Sequence, residues 1–293
     1  MARSSLFSLF FVAFSSVLAV YFLIQISPDP RISSNLKRKI LENWSICARE
    51  QLDKIHTADE FWHQFPSLTS YCDLAENIDL LGLISLKNSD EVKYALMPKN
   101  VPAKNSTFNF VTLGIGKDIT AEKAFKEEAN FLGYEVKFYG ADPIIEDNSQ
   151  LFSQIGEFFP FAIGGKTEIS NASVLKNGTY REETISHVEL LKFLKDNLKI
   201  TEIDHLWLDA EGAEFGLFDY FYNDGPLERN GISFCQMNLE VHIGDINRKI
   251  EFMKFAKRLA HEKRFVMLKS VYVSHIRLYL FNFGSSKCVD KYL

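Results

Sequence analysis

Residues 108–116 read Phe-Asn-Phe-Val-Thr-Leu-Gly-Ile-Gly, a β-rich run that ends in a glycine pair. A helical pattern follows, capped by Asp118 or Thr120 and stopped by Gly133. The next run, residues 134–139, alternates apolar and polar side chains as a half-buried strand does. A strand, a glycine turn, a helix and a second strand in this order are typical of a parallel sheet covered by helices.

The same alternation continues toward the C-terminus. A capping box at residues 186–189 predicts a helix over the leucines that follow, and a long helix is predicted over residues 246–263. Apolar runs predict further strands at residues 158–163, 203–208, 234–241, 265–270 and 276–283. The sequence therefore predicts an α/β fold with a parallel sheet and helices on both faces.

The region before this body carries no motif. It shows a helical pattern over residues 37–54, a short one over residues 58–65, and a polar, turn-prone stretch over residues 89–106. We predict three parts: an N-terminal signal anchor or signal peptide (1–27), an approach region of helices and loops (28–105) and the main domain (106–293).

Polar residues collect where the predicted strands end. They are Gly114 with Gly116, Asp142, Asp209 with Glu211, and Glu240 with His242. In parallel sheets, ligands bind beyond the carboxyl ends of the strands. We therefore expect these residues to form a binding site.

The glycine turn and Asp142 suit a nucleoside ligand. Glycine at a strand-to-helix turn allows positive φ and a close approach of ligand, and the helix N-terminus favours an anionic group. The third glycine of the dinucleotide fingerprint is replaced by Lys117-Asp118, which disfavours a nicotinamide or flavin site. Asp142 can accept both hydroxyls of a ribose, or it can simply form a turn before Pro143.

Three acids follow the predicted strand at residues 203–208. Asp209 and Glu211 can hold a cationic ligand group, a metal or a substrate hydroxyl, because carboxylates buried there need partners. Glu214 is interpreted as a complement to the dipole of the next helix. His242 is a candidate general base, since its pKa lies near neutrality, although a lone histidine is more often structural.

Length and composition limit the function classes. The 293 residues (33.7 kDa) fit one large domain or a domain with an appendage. A net charge of −5 without a basic stripe argues against nucleic-acid binding. The four cysteines lack the spacing of a zinc site and form either two disulfides or four buried thiols. We predict no metal site.

The N-terminus carries an uncharged, apolar run over residues 6–26, with Arg3 before it and Pro28 behind. A helix needs about 20 such residues to cross a bilayer, so we predict an uncleaved membrane anchor. A cleaved signal peptide is the alternative, because residues 17–19 include small side chains near a potential cut. A buried soluble helix is the third alternative.

Two signals disagree on orientation. Arg31 and the basic residues 37–39 place the body in the cytoplasm by the positive-inside rule. Four glycosylation sequons favour the opposite side: Asn43, Asn105, Asn171 and Asn177. We predict a single-pass type II membrane protein of the endoplasmic reticulum or Golgi with a lumenal body, with a secreted protein as the alternative.

Several motifs resemble those of one known family. They are residues 110–116, residues 139–143 (Tyr-Gly-Ala-Asp-Pro), residues 207–214, residues 236–242 and residues 288–293. The Asp-x-Glu-Gly-Ala-Glu block that ends at Glu214 is the most specific. Over residues 95–293 the chain resembles the FkbM-type methyltransferase domain, in particular a membrane-anchored or secreted branch expanded in nematodes.

The resemblance implies a class I S-adenosylmethionine-dependent methyltransferase sheet (Rossmann-like), mostly parallel with an antiparallel strand near the C-terminus. It also implies these roles: Gly114, Ile115 and Gly116 by the aminoacyl end of S-adenosylmethionine, Asp142 on the ribose, Ala162 and Ile163 by the adenine, and Asp209 by the amine or the acceptor. Glu211 or His242 would then take the proton of a hydroxyl acceptor.

The predicted function is O-methylation of a glycan, lipid or small-molecule hydroxyl in the secretory pathway. A lumenal glycosyltransferase is one alternative, although the nearest approach to its Asp-x-Asp triplet is Asp209-Ala210-Glu211. A non-catalytic, methyltransferase-like binding protein is the other alternative.

Overall fold

The computed structural model describes residues 33–100, 107–176 and 179–293. Within these ranges, no helix combines the length and the apolar content needed to cross a bilayer. The predicted anchor at residues 6–26 and the sequons at Asn105 and Asn177 lie outside the described residues.

The helices follow the predicted pattern closely. They are α1 (Ser34–Leu52), α2 (Ala58–Ala75), α3 (Thr120–Phe131), α4 (Asn148–Phe152), α5 (Leu190–Lys192), α6 (Pro226–Arg229), α7 (Ile246–Glu262) and α8 (Ser286–Tyr292). A π-helical turn, Phe193–Leu198, continues α5, and 3₁₀ turns lie at Ile78–Leu81 and Ala213–Phe221. The helices predicted over residues 37–54 and 246–263 are confirmed as α1 and α7, and α2 continues past its predicted end at residue 65.

The strands form a central sheet and two small ones. They are β1 (Ile84–Lys87), β2 (Val92–Ala95), β3 (Thr107–Leu113), β4 (Glu135–Ala141), β5 (Glu157–Phe159), β6 (Ala162–Gly164), β7 (Glu168–Lys176), β8 (Thr179–Glu189), β9 (Glu202–Leu208), β10 (Ser233–Val241), β11 (Phe265–Tyr272) and β12 (Ile276–Asn282). The central sheet has the order β11-β12-β10-β9-β3-β4-β5, β1 pairs with β2, and β6-β8-β7 form a third sheet.

The central sheet is mixed. Strands β5, β4, β3, β9 and β10 run parallel to one another, whereas β12 is antiparallel to both β10 and β11. The predicted α/β fold with a mixed sheet is therefore confirmed. The chain moves outward from β3 through β4 to β5 and then returns to the other side of β3 at β9. Ligands bind at such a switch in strand order, beyond the carboxyl ends of the strands.

Aromatic side chains pack against one another around the central strand β3. The ring of Phe110 on β3 lies 4.9 Å from Phe125 on α3, 4.9 Å from Phe138 on β4 and 4.7 Å from Trp207 on β9. These centroid distances are those of favourable aromatic pairs. The packing fixes the ends of β3, β4 and β9 relative to one another.

Side-chain bonds and disulfides fasten the N- and C-terminal helices to the sheet. Asp73 on α2 accepts hydrogen bonds from Trp44 Nε1 on α1 (2.7 Å) and from the Lys269 amide on β11 (2.9 Å). The disulfides are Cys47–Cys72, which joins α1 to α2, and Cys235–Cys288, which joins β10 to α8. Of the two arrangements that the sequence left open, the disulfide-bonded one is therefore observed.

Two predicted elements are wrong. The strand predicted over residues 158–163 is split into β5 and β6, because Pro160 cannot donate to a ladder and the chain turns there. The predicted capping box at residues 186–189 does not begin a helix. Those residues belong to β8, which pairs with both β6 and β7, and the helix begins only at Leu190. Strand pairing on both sides overrides the local capping signal.

Two hairpins are absent from the sequence prediction. The predicted loop over residues 89–106 contains β2, which pairs with β1. The β7–β8 pair extends along its whole length, from Glu168 opposite His187 to Lys176 opposite Thr179. Both hairpins border the site described next.

Candidate active site

A cleft opens beyond the carboxyl ends of β3, β4 and β9. Its volume is about 330 Å³, which is within the range of small-molecule sites. The residues predicted to bind a cofactor all line it: Gly114, Ile115, Gly116, Asp142, Ala162 and Asp209. Glu211 lines it too, and His242 lies beside it, with Nε2 3.2 Å from Glu211 Oε2. The structure therefore brings the predicted site residues together.

The glycines of the turn after β3 serve different purposes. Gly114 has φ +88°. A Cβ at this position would lie less than 3.0 Å from the Asp209 carbonyl oxygen, which is closer than Cβ atoms come in real structures. Gly114 therefore allows the ends of β3 and β9 to touch. Gly116 has φ +63°, and a Cβ there would meet no atom within 4 Å. Gly116 leaves open space at the cleft rather than solving a packing problem.

Asp142 braces this turn from the end of β4. Its Oδ2 accepts a hydrogen bond from the Ile115 amide (2.8 Å), and its Oδ1 accepts one from the Ile144 amide (2.7 Å). The residue is 4% exposed. Burial raises the pKa of Asp142, while the bonds from the backbone amides of Ile115 and Ile144 oppose that shift. Asp142 lines the cleft, where its carboxylate can accept from a ligand hydroxyl.

Asp209 presents an unsatisfied oxygen. Its amide donates to the Leu113 carbonyl (2.9 Å), which holds the residue at the end of β9. Its Oδ1 is buried without a hydrogen-bond partner, while the side chain as a whole is 35% exposed. Burial raises the pKa of Asp209, and the neighbouring carboxylates of Glu240 and Glu211 raise it further. A cationic ligand group would relieve this cost.

His242 is surrounded by carboxylates. Its Nδ1 donates to Glu214 Oε1 (3.1 Å), and its Nε2 lies 3.5 Å from Asp209 Oδ1 and 3.5 Å from Glu240 Oε1. Burial lowers the pKa of His242, but the hydrogen bond to Glu214 and the nearby negative charges outweigh it and raise the pKa to about 9. The imidazole is therefore protonated near neutral pH.

Glu214 ties the turn after β9 to the end of β10. The residue is fully buried, and its carboxylate accepts hydrogen bonds from the Gly212 amide (2.7 Å), the His242 amide (2.8 Å) and His242 Nδ1. The sequence predicted that Glu214 complements a helix dipole. The bond to Gly212, at the start of the following 3₁₀ turn, agrees with that interpretation. The bonds to His242 also link this turn to the residue after β10.

The charge of His242 makes the stability of the protein depend on pH. Its pKa of about 9 when folded exceeds its ordinary value of 6.5, so the stabilisation is complete below pH 6.5 and is lost as the pH rises through 9. The shift corresponds to about 3 kcal/mol of unfolding free energy. Urea unfolding at pH 6 and at pH 9.5 should show this loss in the wild type, and His242→Gln should lose less. Equal losses in both proteins would refute the prediction.

The β1–β2 hairpin forms one wall of the cleft, which the sequence prediction missed. Asn88 Oδ1 accepts from the Ala121 amide (2.9 Å), and the Ser89 amide donates to Asp118 Oδ2 (2.9 Å). Arg277 on β12 contacts both Asp90 and Glu240 at 2.8–2.9 Å. The turn-forming run Asn88-Ser89-Asp90 between two alternating segments is the signal that could have revealed the hairpin.

Amide side chains on β10 hold this hairpin in place. Asn238 exchanges two hydrogen bonds with the backbone of Tyr94, each 2.9 Å long. Gln236 does the same with the backbone of Leu96, at 2.7 and 3.0 Å. These side chains satisfy the backbone of β2 and of Leu96, which follows it, as a neighbouring strand would.

Glu122 is a second buried acid that the sequence prediction missed. It lines the cleft from α3, is 1% exposed, and accepts from Thr112 Oγ1 (3.2 Å) through Oε1. Its Oε2 has no hydrogen-bond partner among the described residues. Burial raises the pKa of Glu122 to about 7. A glutamate on the same helix face as Phe125 and Ala129 is the sequence signal for it.

Two sets of side chains have spacings compatible with a metal ion. They are Glu240, His242 and His275, and Asp209, Glu211 and His242. Both sets include His242, whose Nδ1 is bonded to Glu214 and whose Nε2 faces the other carboxylates.

The fold is that of an α/β protein with a cleft where the strand order reverses. Residues 73–288 match the methyltransferase FkbM domain. The chain therefore belongs to the FkbM methyltransferase-domain family, which confirms that part of the resemblance; the membrane-anchored or secreted nematode branch stays a prediction. The match begins within α2, so it reaches further toward the N-terminus than the motifs from residue 95 onward. No curated protein and no solved structure matched the chain.

Proposed function

We propose that this protein is an S-adenosylmethionine-dependent methyltransferase that acts on a hydroxyl group. The observation that carries the proposal is the convergence, in one cleft of an FkbM-family domain, of a glycine turn and the acids Asp142 and Asp209. The antiparallel β12 near the C-terminus of a mostly parallel, seven-stranded sheet also suits a class I methyltransferase fold.

The acceptors and the open space of the cleft match the parts of S-adenosylmethionine. Asp142 would accept the ribose hydroxyls, the space beside Gly116 would admit the aminoacyl end, and Ala162 would border the adenine. The carboxylate of Asp209, whose side chain is 35% exposed, would accept from the ammonium group. When bound, S-adenosylmethionine supplies a methyl group on a sulfonium, already activated for transfer to an oxygen.

Glu211 is the best placed residue to take the acceptor's proton. It lines the cleft, and its side chain is 32% exposed, so a hydroxyl can reach it. Its φ of +49° is unusual for a non-glycine residue, and such backbone strain clusters at functional sites. His242, the other predicted base, is protonated at neutral pH and therefore serves in this proposal as a cation that positions Asp209 and Glu211.

Calorimetry tests the cofactor directly. Titration of S-adenosylmethionine into the full-length protein in lipid nanodiscs should give a dissociation constant in the micromolar range, and S-adenosylhomocysteine should compete. EDTA should leave the affinity unchanged, because the proposed contacts need no metal. Absence of a binding heat at millimolar cofactor would end the proposal. A manganese-dependent heat with nucleotide sugars would instead support the alternative of a glycosyltransferase.

Turnover separates an enzyme from a binding protein. Transfer of tritium from labelled S-adenosylmethionine to a panel of glycosides, lipids and small alcohols should label at least one class. Tight cofactor binding without label on any acceptor would favour the non-catalytic alternative.

We also propose a lumenal or extracellular location, as a type II membrane protein or a secreted one. The disulfides Cys47–Cys72 and Cys235–Cys288 support this, because such bonds persist in oxidising compartments. Expression in a eukaryotic cell should yield a protein whose gel mobility increases after glycosidase treatment. The same mobility with and without the enzyme would contradict the proposal, and the quadruple Asn→Gln sequon variant is the control.

A further inference from the structure

A second cavity adjoins the cleft. It has a volume of about 390 Å³ and lies between the β6-β8-β7 sheet and the turn after β9. The residues that line both cavities are Ala172, His187, Ala210 and Glu211. These residues therefore form the boundary between the two cavities.

We infer that this second cavity binds the acceptor, and that the acceptor is polyhydroxylated, of the sugar class rather than a lipid chain. The inference rests on the proposed methyltransferase function and narrows its acceptor. The two cavities would hold the two substrates, and their junction would be the place where the hydroxyl meets the methyl group. Proximity of this kind is the main demand of the reaction.

The lining is unsuited to an acyl chain. Its apolar side chains are alanines only, at positions 172, 210 and 213. Hydrogen-bonding side chains supply most of the rest, among them Lys166, Ser170, Asn171, Glu182 and Arg248. Sugar hydroxyls both donate and accept hydrogen bonds, so they match a wall of mixed donors and acceptors. A lipid chain would leave these groups without partners, at a cost in affinity.

Arg248 is available to such a ligand. Its guanidinium lies 5.2 Å from the ring of Phe215, which holds it against the protein. Among the described residues, no carboxylate forms an ion pair with it. Its N–H groups can therefore donate to ligand hydroxyl oxygens, and the planar guanidinium suits paired oxygens.

Backbone and side-chain contacts hold the wall of the second cavity together. A Cβ at Gly165 would lie 2.5 Å from the Gly216 carbonyl oxygen, so the two backbones touch. The hydroxyl of Tyr220 lies 3.0 Å from the Gly165 carbonyl and 2.7 Å from Glu189 Oε1. These contacts fix the β6-β8-β7 sheet against the turn that carries Glu211.

His187 and Glu211 are the polar side chains that line both cavities. His187 is 9% exposed, and its Nδ1 lies 3.0 Å from Ser170 Oγ, which sets the orientation of the ring. The sequence marked His187 only as part of a capping box. Its place on β8 gives it a position beside the acceptor hydroxyl instead.

Ligand-observed NMR tests the inference without requiring turnover. The probes are the methyl glycosides of glucose, galactose, mannose and glucuronate, with n-octanol as the lipid-like probe. They are added to the full-length protein in nanodiscs with S-adenosylhomocysteine present. At about 10 mM probe, even a millimolar complex is populated. We expect saturation transfer to at least one glycoside.

Two variants locate that signal. Ala213 lines the second cavity but not the cleft, so Ala213→Trp should fill that cavity and abolish the glycoside signal. Arg248→Ala should weaken glycoside binding about tenfold, as loss of a charged hydrogen-bond donor does. Lys254→Ala, an exposed cation on the same helix, is the control and should leave binding unchanged.

Cofactor calorimetry on the same proteins separates the outcomes. A glycoside signal that survives Ala213→Trp, a signal from n-octanol that this variant removes, or no signal from any glycoside would overturn the inference. In each case, normal binding of S-adenosylmethionine would leave the proposed function standing. If the wild type did not bind S-adenosylmethionine, the proposed function itself would be refuted. Thermal midpoints confirm that each variant is folded.

Discussion

Gly114→Ala is expected to destabilise the fold by at least about 4 kcal/mol and to abolish binding of S-adenosylmethionine. The added Cβ would collide with the Asp209 carbonyl, which is backbone and cannot rotate away. The positive φ at Gly114 adds a conformational cost of about 1–2 kcal/mol for any residue with a Cβ. Relief requires that the ends of β3 and β9 separate, which opens the floor of the cleft. Urea unfolding and calorimetry measure the two effects.

Gly116→Ala is the matched control for this change. It carries a positive φ too, but its new Cβ meets no atom within 4 Å. We expect a stability loss of only about 1–2 kcal/mol, from the backbone alone. The methyl group would still occupy space beside the cleft, so cofactor affinity should fall while the fold persists. Equal destabilisation by the two substitutions would show that the contact between Gly114 and Asp209 does not limit the fold.

Asp142→Ala is expected to weaken binding of S-adenosylmethionine about a thousandfold, equivalent to about 4 kcal/mol. Two hydrogen bonds from ribose hydroxyls to a buried carboxylate would be lost, at about 1.5–3 kcal/mol each. The amides of Ile115 and Ile144 would also lose their acceptors, so the glycine turn would lose its brace. Calorimetry gives the affinity for S-adenosylmethionine. Urea unfolding gives the change in the free energy of unfolding, which shows how far the substitution disturbs the fold.

Glu146→Ala is the control for Asp142→Ala. It removes the same charge from an exposed side chain four positions along the chain, outside the cleft. Its cofactor affinity should equal that of the wild type. If Asp142→Ala bound the cofactor within about threefold of the wild type, less than 1 kcal/mol, the ribose contact would be ruled out.

The sequence predicts which candidate residues lie together at one edge of the sheet, because the signals for them are local. A strand followed by Gly114-Ile115-Gly116 and a strand that ends at Asp142 each carry their position in the nearby residues. The rule that strand ends share one edge of a parallel sheet then brings them together. Asp209 and Glu211 are found for the same reason, as acids directly after an apolar run.

The walls of the site depend on contacts between distant parts of the chain. Tyr94 and Asn238, which fasten the β1–β2 hairpin, are 144 residues apart. Residues 186–189 have a local preference for a helix start but become a strand because β6 and β7 pair with them. No local pattern reports on such pairings, since tertiary context decides them.

The protonation state of His242 also depends on contacts between distant parts of the chain. An isolated imidazole has a pKa near neutrality, and for this reason the sequence suggests that His242 is a base. The carboxylates of Glu214 and Asp209, 28 and 33 positions earlier in the chain, raise the pKa and give the group a fixed positive charge. The residue can be selected from the sequence, but its protonation state depends on the folded arrangement.

The fastened β1–β2 hairpin has a kinetic consequence. In many enzymes a closing lid sets the rate of turnover, because products leave only when it opens. Here the wall beside the cleft is held by Asn238, Gln236, Asn88 and Arg277, so it offers no swinging gate. If the proposed function holds, we expect S-adenosylhomocysteine to leave without a movement of this wall, in a single-phase dissociation.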